Sequence, residues 1–128
     1  MDLELAGKVA IITGATQGIG QAKSMPTTVS RAAGQAMSKA LSKELAPDGI
    51  LVNTVCIGLV RAGQHDARAA RQGVDTESLY QDMGRTAPLG RVGRADEAAD
   101  VIAFLVSARA SFVTGSSINI DGGASAEF

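Results

Sequence analysis

At 128 residues the chain accommodates one domain around a single core. Apolar residues make up 45% of it and charged residues 20%, an ordinary globular balance that excludes a disordered chain. The net charge of −1, with no basic stripe, removes the electrostatic case for a nucleic-acid or anionic-membrane partner.

The chain opens with MDLELAGKVAIIT, whose acidic residues stand where a signal peptide needs basic ones. Residues 8–13 (KVAIIT) form a short β-branched apolar run that predicts a buried strand. A glycine-punctuated loop is expected over 14–20, then a connector over 21–26. From 28 to 46 the apolar positions Val29, Ala32, Ala33, Ala36, Met37, Ala40, Leu41 and Leu45 follow helical spacing. Thr27 or Thr28 can cap that helix, and Pro47-Asp48-Gly49 stops it. Residues 50–55 (ILVNTV) predict a second strand. The polar stretch 58–76 reads as a loop, followed by a short helix near 77–83. A strong amphipathic helix is expected over 95–107, with Asp96 and Glu97 in its first turn, where the helix dipole favours them. Residues 117–121 (SINID) predict a third strand, closed by Gly122-Gly123.

Strand, helix, strand, helix, strand is the order of a small α/β domain with a mainly parallel sheet flanked by helices. The apolar run Val101 to Val106 is too short to span a bilayer, and the single cysteine, Cys56, excludes an intrachain disulfide. A cytoplasmic protein is expected, without a membrane or nucleic-acid partner.

Glycines at 14, 18 and 20, placed directly after a predicted strand, allow a tight turn and close approach of backbone N–H groups to a diphosphate. GKVAIITGATQGIG resembles the nucleotide-binding segment of the short-chain dehydrogenase/reductase family. The resemblance resumes in AAGQAMSKALSKELAPDGILVNTVCIGLV. It returns in PLGRVGRADEAADVIAFLVSARASFVTGSSINIDGG, which is similar to the C-terminal part of 3-oxoacyl-reductase-like members. The resemblance implies a Rossmann-like fold that uses NAD or NADP to interconvert hydroxyl and keto groups on a small substrate. It assigns Gly14, Thr16, Gln17, Gly18, Ile19 and Gly20 to the diphosphate and adenosine ribose. It brings the backbone of Ile57, Gly58 and Val60 to the nicotinamide carboxamide.

The departures are as informative. Family members are roughly twice this length, so the chain reads as one Rossmann-type domain over 1–128, shortened internally near 22–23 and reduced to about three strands. The segment missing there would carry the ribose selector, so the resemblance does not choose NAD over NADP. It would also carry the central strands, and the asparagine and serine of the family's catalytic set. The family's tyrosine and lysine fall at Thr27 and Arg31. A threonine hydroxyl is too weak an acid to replace a phenol whose pKa a neighbouring cation lowers, and arginine does not substitute freely for lysine. No catalytic residue and no metal site is therefore assigned, and the 128-residue chain is expected to lack the family activity. The alternative is a non-catalytic remnant serving as a structural or interaction module.

Other candidates have plainer readings. Cys56 suits a small buried position better than a nucleophile, and His65 reads as an exposed loop histidine rather than a general base. Tyr80, the chain's one tyrosine, falls in the region of the substrate lid. The arginines at 68, 71, 85, 91 and 94 are interleaved with acids and read as a mixed surface. Three strands and two long helices leave apolar surface uncovered, so a homo-oligomer is expected.

Overall fold

The computed structural model describes residues 15–16 and 25–125. Three parallel strands form one sheet in the order β1-β2-β3: β1 Ala15–Thr16, β2 Thr54–Ile57 and β3 Ser117–Ile120. Helix α1, Met25–Glu44, joins β1 to β2. After β2 come α2 (Gly63–Gln72), α3 (Thr76–Gly84) and α4 (Ala95–Val106), the last leading to β3. The expected α/β class, parallel sheet and three strands are all present. The predicted strand at 8–13 lies outside the described residues, and within the predicted glycine loop Ala15–Thr16 is strand.

Several boundaries differ for physical reasons. β2 begins at Thr54 rather than at residue 50 because the preceding segment bonds to the approach of β3 instead of extending the ladder. There the Val52 N–H donates to Thr114 Oγ1 at 3.0 Å and the Asn53 amide to the Val113 carbonyl at 2.8 Å. Helix α1 starts at Met25, so Thr27 and Thr28 lie inside its first turn and neither is its cap. It ends at Glu44, and a 3₁₀ turn, Ala46–Asp48, carries Pro47 into Gly49 at φ 75°. The polar stretch read as a loop contains α2.

Alternation along β2 shows which helix covers which face. Thr54 and Cys56 point one way, Val55 and Ile57 the other, and the first three of these are fully buried. Gln35 on α1 donates to Cys56 Sγ at 3.0 Å, which puts α1 on the Thr54/Cys56 face. Ile57 shares a cavity wall with Ala98 and Ile102 of α4, which puts α4 on the other. β3 agrees: Ile118 and Ile120, in register with Val55 and Ile57, are half-buried, whereas Ser117 and Asn119 are exposed. The strands lie side by side in chain order with crossover helices on opposite faces. The two crossovers therefore have opposite hands, and one departs from the right-handed rule.

The inward face of helix α1 is largely polar. The inward positions are Arg31, Gly34, Gln35, Ser38, Leu41, Ser42 and Leu45, with Ser38 and Ser42 fully buried. Of the eight apolar positions at helical spacing, Leu41 and Leu45 face inward, while Val29 is 61% and Met37 55% exposed, and Ala32, Ala33, Ala36 and Ala40 are exposed as well. Small polar residues are accepted inside because each finds a helix carbonyl. Ser38 Oγ donates to the Gly34 carbonyl at 2.9 Å and Ser42 Oγ to that of Lys39 at 2.8 Å. Small side chains also let the chain near β3 approach, since a Cβ on Gly115 would sit 2.5 Å from Ser42 Oγ.

Candidate functional site

The carboxyl end of a parallel sheet, where strands hand over to loops, is where open α/β folds present ligand-binding groups. Beyond β2 the chain turns at Gly58, whose N–H donates to the Ile120 carbonyl at 2.9 Å. A Cβ there would stand 2.5 Å from the Asp121 Cβ, so glycine is required by the contact between the two strand ends. The next residues form a parallel bridge to the segment before α4. The Arg61 N–H donates to the Gly93 carbonyl and the Gly93 N–H to the Leu59 carbonyl, both at 2.9 Å. This alternation turns the N–H of Val60 away from Gly93, and among the described residues it has no protein acceptor.

Ile57, Gly58 and Val60, three positions assigned from the sequence, line one open cleft of about 330 Å³. Ala98, Ala99 and Ile102 of α4 form its far wall, and Ala62, Gln64 and His65 close it from the start of α2. A volume of this order is at the lower end for small-molecule sites, which run from about 300 to 1,000 Å³. Thr16 is brought next to this region by pairing with Ile57 in the sheet. Gly14, Gln17, Gly18, Ile19 and Gly20 lie outside the described residues. Thr27 and Arg31 occupy the first two turns of α1, four residues apart, with Arg31 half-buried on the inward side.

The wall formed by α2 is anchored from below by Tyr80, which is only 3% exposed. Its hydroxyl donates to Asp66 Oδ1 at 2.7 Å and accepts from the Ala62 N–H at 3.2 Å. Burial first, and then the hydrogen bond to Asp66, push the Tyr80 phenol above its usual 10.0. That is the opposite of what a proton-exchanging tyrosine requires, and Tyr80 is a structural anchor. Arg61 lies over its ring, 4.5 Å from the centroid, and holds Glu77 at 2.6 Å.

His65 departs from expectation. It is half-buried in the first turn of α2, with its ring edge-on to Tyr80 at 6.1 Å between centroids, and it lines the cleft. The sequence hid this because α2 has no side-chain cap at Ala62 and opens on Gly63, so the segment carries no helix start signal. Cys56, by contrast, is buried as expected. Three of the five interleaved arginines pair with acids: Arg85 with Asp82, Arg94 with Asp96, and Arg91 with Glu97. Asp121 ends β3 with a turn, its carboxylate accepting from the Gly123 and Ser125 N–H groups at 2.9 Å each.

Comparison with known proteins gives concordant matches along the chain. A family model described as enoyl-(acyl carrier protein) reductase matches residues 4–125. A short-chain dehydrogenase/reductase of Armillaria gallica is 35% identical over 121 residues, which cover 91% of this chain and 46% of that protein. The 3-oxoacyl-[acyl-carrier-protein] reductase FabG of Aquifex aeolicus is 36% identical over 115 residues, covering 90% of this chain and 42% of its own. Among solved structures, the NADPH-bound short chain oxidoreductase of Pseudomonas aeruginosa PAO1, described as containing an atypical catalytic center, aligns with a TM-score of 0.79 at 32% identity. That match covers 93% of this chain and 47% of the other. The chain spans about half the length of these relatives.

Proposed function

Because the chain belongs to the short-chain dehydrogenase/reductase family, we propose that it binds a nicotinamide dinucleotide, NAD or NADP, without the family's usual proton-transfer groups. The observation that carries this reading is the convergence of Ile57, Gly58 and Val60 on one cleft at the carboxyl end of the sheet. Among the described residues the Val60 N–H has no protein acceptor and suits a carboxamide oxygen, and the aliphatic wall at Ile57 suits a flat ring. Gly14, Thr16, Gln17, Gly18, Ile19 and Gly20 are assigned to the diphosphate and ribose by the family resemblance. Gly58 contributes by shape alone, its N–H being taken by Ile120. When bound, the dinucleotide supplies or accepts hydride, and the family reaction on a hydroxyl or keto substrate also needs a proton donor of suitable acidity. Thr27 is too weak an acid for that role, and arginine does not substitute freely for lysine.

A second reading, a non-catalytic interaction module, is supported by the outward apolar stripe of α1. Val29, Ala33, Ala36 and Ala40 repeat at four- and three-residue intervals, the spacing of a helix that packs along another helix. A homo-oligomer built on this face is compatible with either reading. A cytoplasmic setting is part of the same proposal and suits the buried free thiol of Cys56. Among the described residues no helix is long and apolar enough to cross a membrane.

The test is a titration with NADPH, followed by nicotinamide fluorescence and then by loss of nicotinamide absorbance in the presence of a ketone. Saturable binding without turnover is the expected result. Turnover would remove the non-catalytic half of the proposal, and absence of binding would leave the interaction module.

A further inference from the structure

The chains that leave β1 and β2 part to opposite faces of the sheet. β1 leads to α1, which covers the Thr54/Cys56 face, and β2 leads by way of α2 and α3 to α4, which covers the other. Neighbouring strands whose outgoing chains part in this way open a crevice between their carboxyl ends, and open α/β sheets hold ligands there. In this chain the crevice is one strand spacing wide. Thr16 at the end of β1 is paired with Ile57 at the end of β2, and neighbouring strands lie ~4.8 Å apart.

That position has a consequence for a ligand of two nucleotides. In the doubly wound Rossmann sheet the first strand is central, with strands on both sides, and a dinucleotide lies across the crevice with half of the sheet beneath each nucleotide. Here the order is β1-β2-β3, so among the described residues β1 is the edge of the sheet and has a neighbour on one side only. The groups that can meet a nicotinamide, Ile57, Gly58 and Val60, all lie on the β2 side. A nucleotide with its ring on Ile57 and its carboxamide at the Val60 N–H already reaches the edge strand with its own phosphate. A second nucleotide continuing across β1 passes beyond the sheet. A group that stays in water on binding makes no new contacts and adds little affinity.

We propose that the chain grips a single nucleotide, a nicotinamide ribosyl phosphate, and leaves the adenosine half of a dinucleotide beyond the edge strand. This rests on the cofactor reading above and departs from the two-sided grip of the full-length fold, naming the one half that is held. Two sources present the same chemistry: free nicotinamide mononucleotide, and the corresponding half of NAD or NADP. The phosphate that distinguishes NADP from NAD sits on the adenosine half, so the two dinucleotides are bound alike.

Reduced nicotinamide mononucleotide, NADH and NADPH are titrated separately into the whole chain and followed by nicotinamide fluorescence, with ADP-ribose added as a competitor. The three reduced ligands should bind within about threefold of one another, and ADP-ribose at least about tenfold more weakly than the mononucleotide. NADPH bound about tenfold or more tightly than the mononucleotide overturns the proposal, because that gain requires protein contacts to the adenosine half. A preference of the same size between NADH and NADPH overturns it for the same reason, as does ADP-ribose competing as well as the mononucleotide. These results leave the cofactor reading standing. Binding of the mononucleotide without either dinucleotide sinks the dinucleotide reading alone, and binding of none of the three reduced ligands removes both.

Discussion

The Tyr80 hydroxyl donates to Asp66 at 2.7 Å while accepting from the backbone of Ala62, so one buried atom joins α3 to the start of α2. Tyr80→Phe keeps the ring and removes this junction, leaving the Ala62 N–H without its protein acceptor. A loss of about 0.5–1.5 kcal/mol is expected from urea unfolding. The folded phenol is held above 10.0, so the fold prefers the neutral form. The stabilisation is complete below the pH at which an exposed tyrosine ionises, and it disappears as pH rises through the folded value. Unfolding midpoints measured across the alkaline range should fall for wild type, and fall less for Tyr80→Phe.

Two glycines should respond oppositely to alanine. Gly34 lies inside α1 with nothing among the described residues within 4 Å of an added Cβ, so Gly34→Ala should raise stability by about 0.5–1 kcal/mol through helix propensity. Gly58→Ala drives a Cβ into Asp121 and should cost about 1–3 kcal/mol. Paired thermal melts check both; a stabilised Gly58→Ala would refute the close contact of the two strand ends.

Acid should weaken the start of α4. The Arg91 guanidinium, with the Arg94 N–H, holds the Glu97 carboxyl at about 2 against an ordinary 4.5. A depressed value means the stabilisation is present above the unfolded value and is lost as pH falls through 4.5 toward about 2. In Glu97→Gln the same acid titration should be flatter across that window. A parallel pair of curves would show that Glu97 contributes nothing there.

The outward stripe of α1 should govern self-association. Ala36→Glu puts a charge in the middle of that stripe, away from the buried Ser38 and Ser42. Sedimentation should show the wild-type mass decreasing on dilution and Ala36→Glu remaining monomeric, with unchanged helicity. A monomeric wild type at all concentrations would remove the oligomer from the proposal.

What the sequence made legible was what local pattern controls. Asp96 and Glu97 mark the start of α4, and Gly122-Gly123 follow the end of β3 closely. Gly49 closes the turn after α1. The orientation of α1 was not legible, because apolar spacing identifies a helical face but not what lies against it. Here partners for Gln35, Ser38 and Ser42 turned the polar side inward. Nor was α2, since Ala62 offers no capping oxygen and its neighbours are strongly polar. Of the site, Ile57, Gly58 and Val60 were found by resemblance. Gln64 and His65 were missed because their place in the cleft wall depends on α2 folding back over it.

The contact between Gly58 and Asp121 has a mechanical side. Asp121 already holds the turn after β3 through the Gly123 and Ser125 N–H groups, so the exit of β2 and the exit of β3 are clamped at one seam. The bridge of Leu59 and Arg61 to Gly93 stiffens the next three residues. If the α2 wall swings to admit a guest, the pivot falls between Arg61 and Gly63, and the Tyr80 hydroxyl acts as the latch across it.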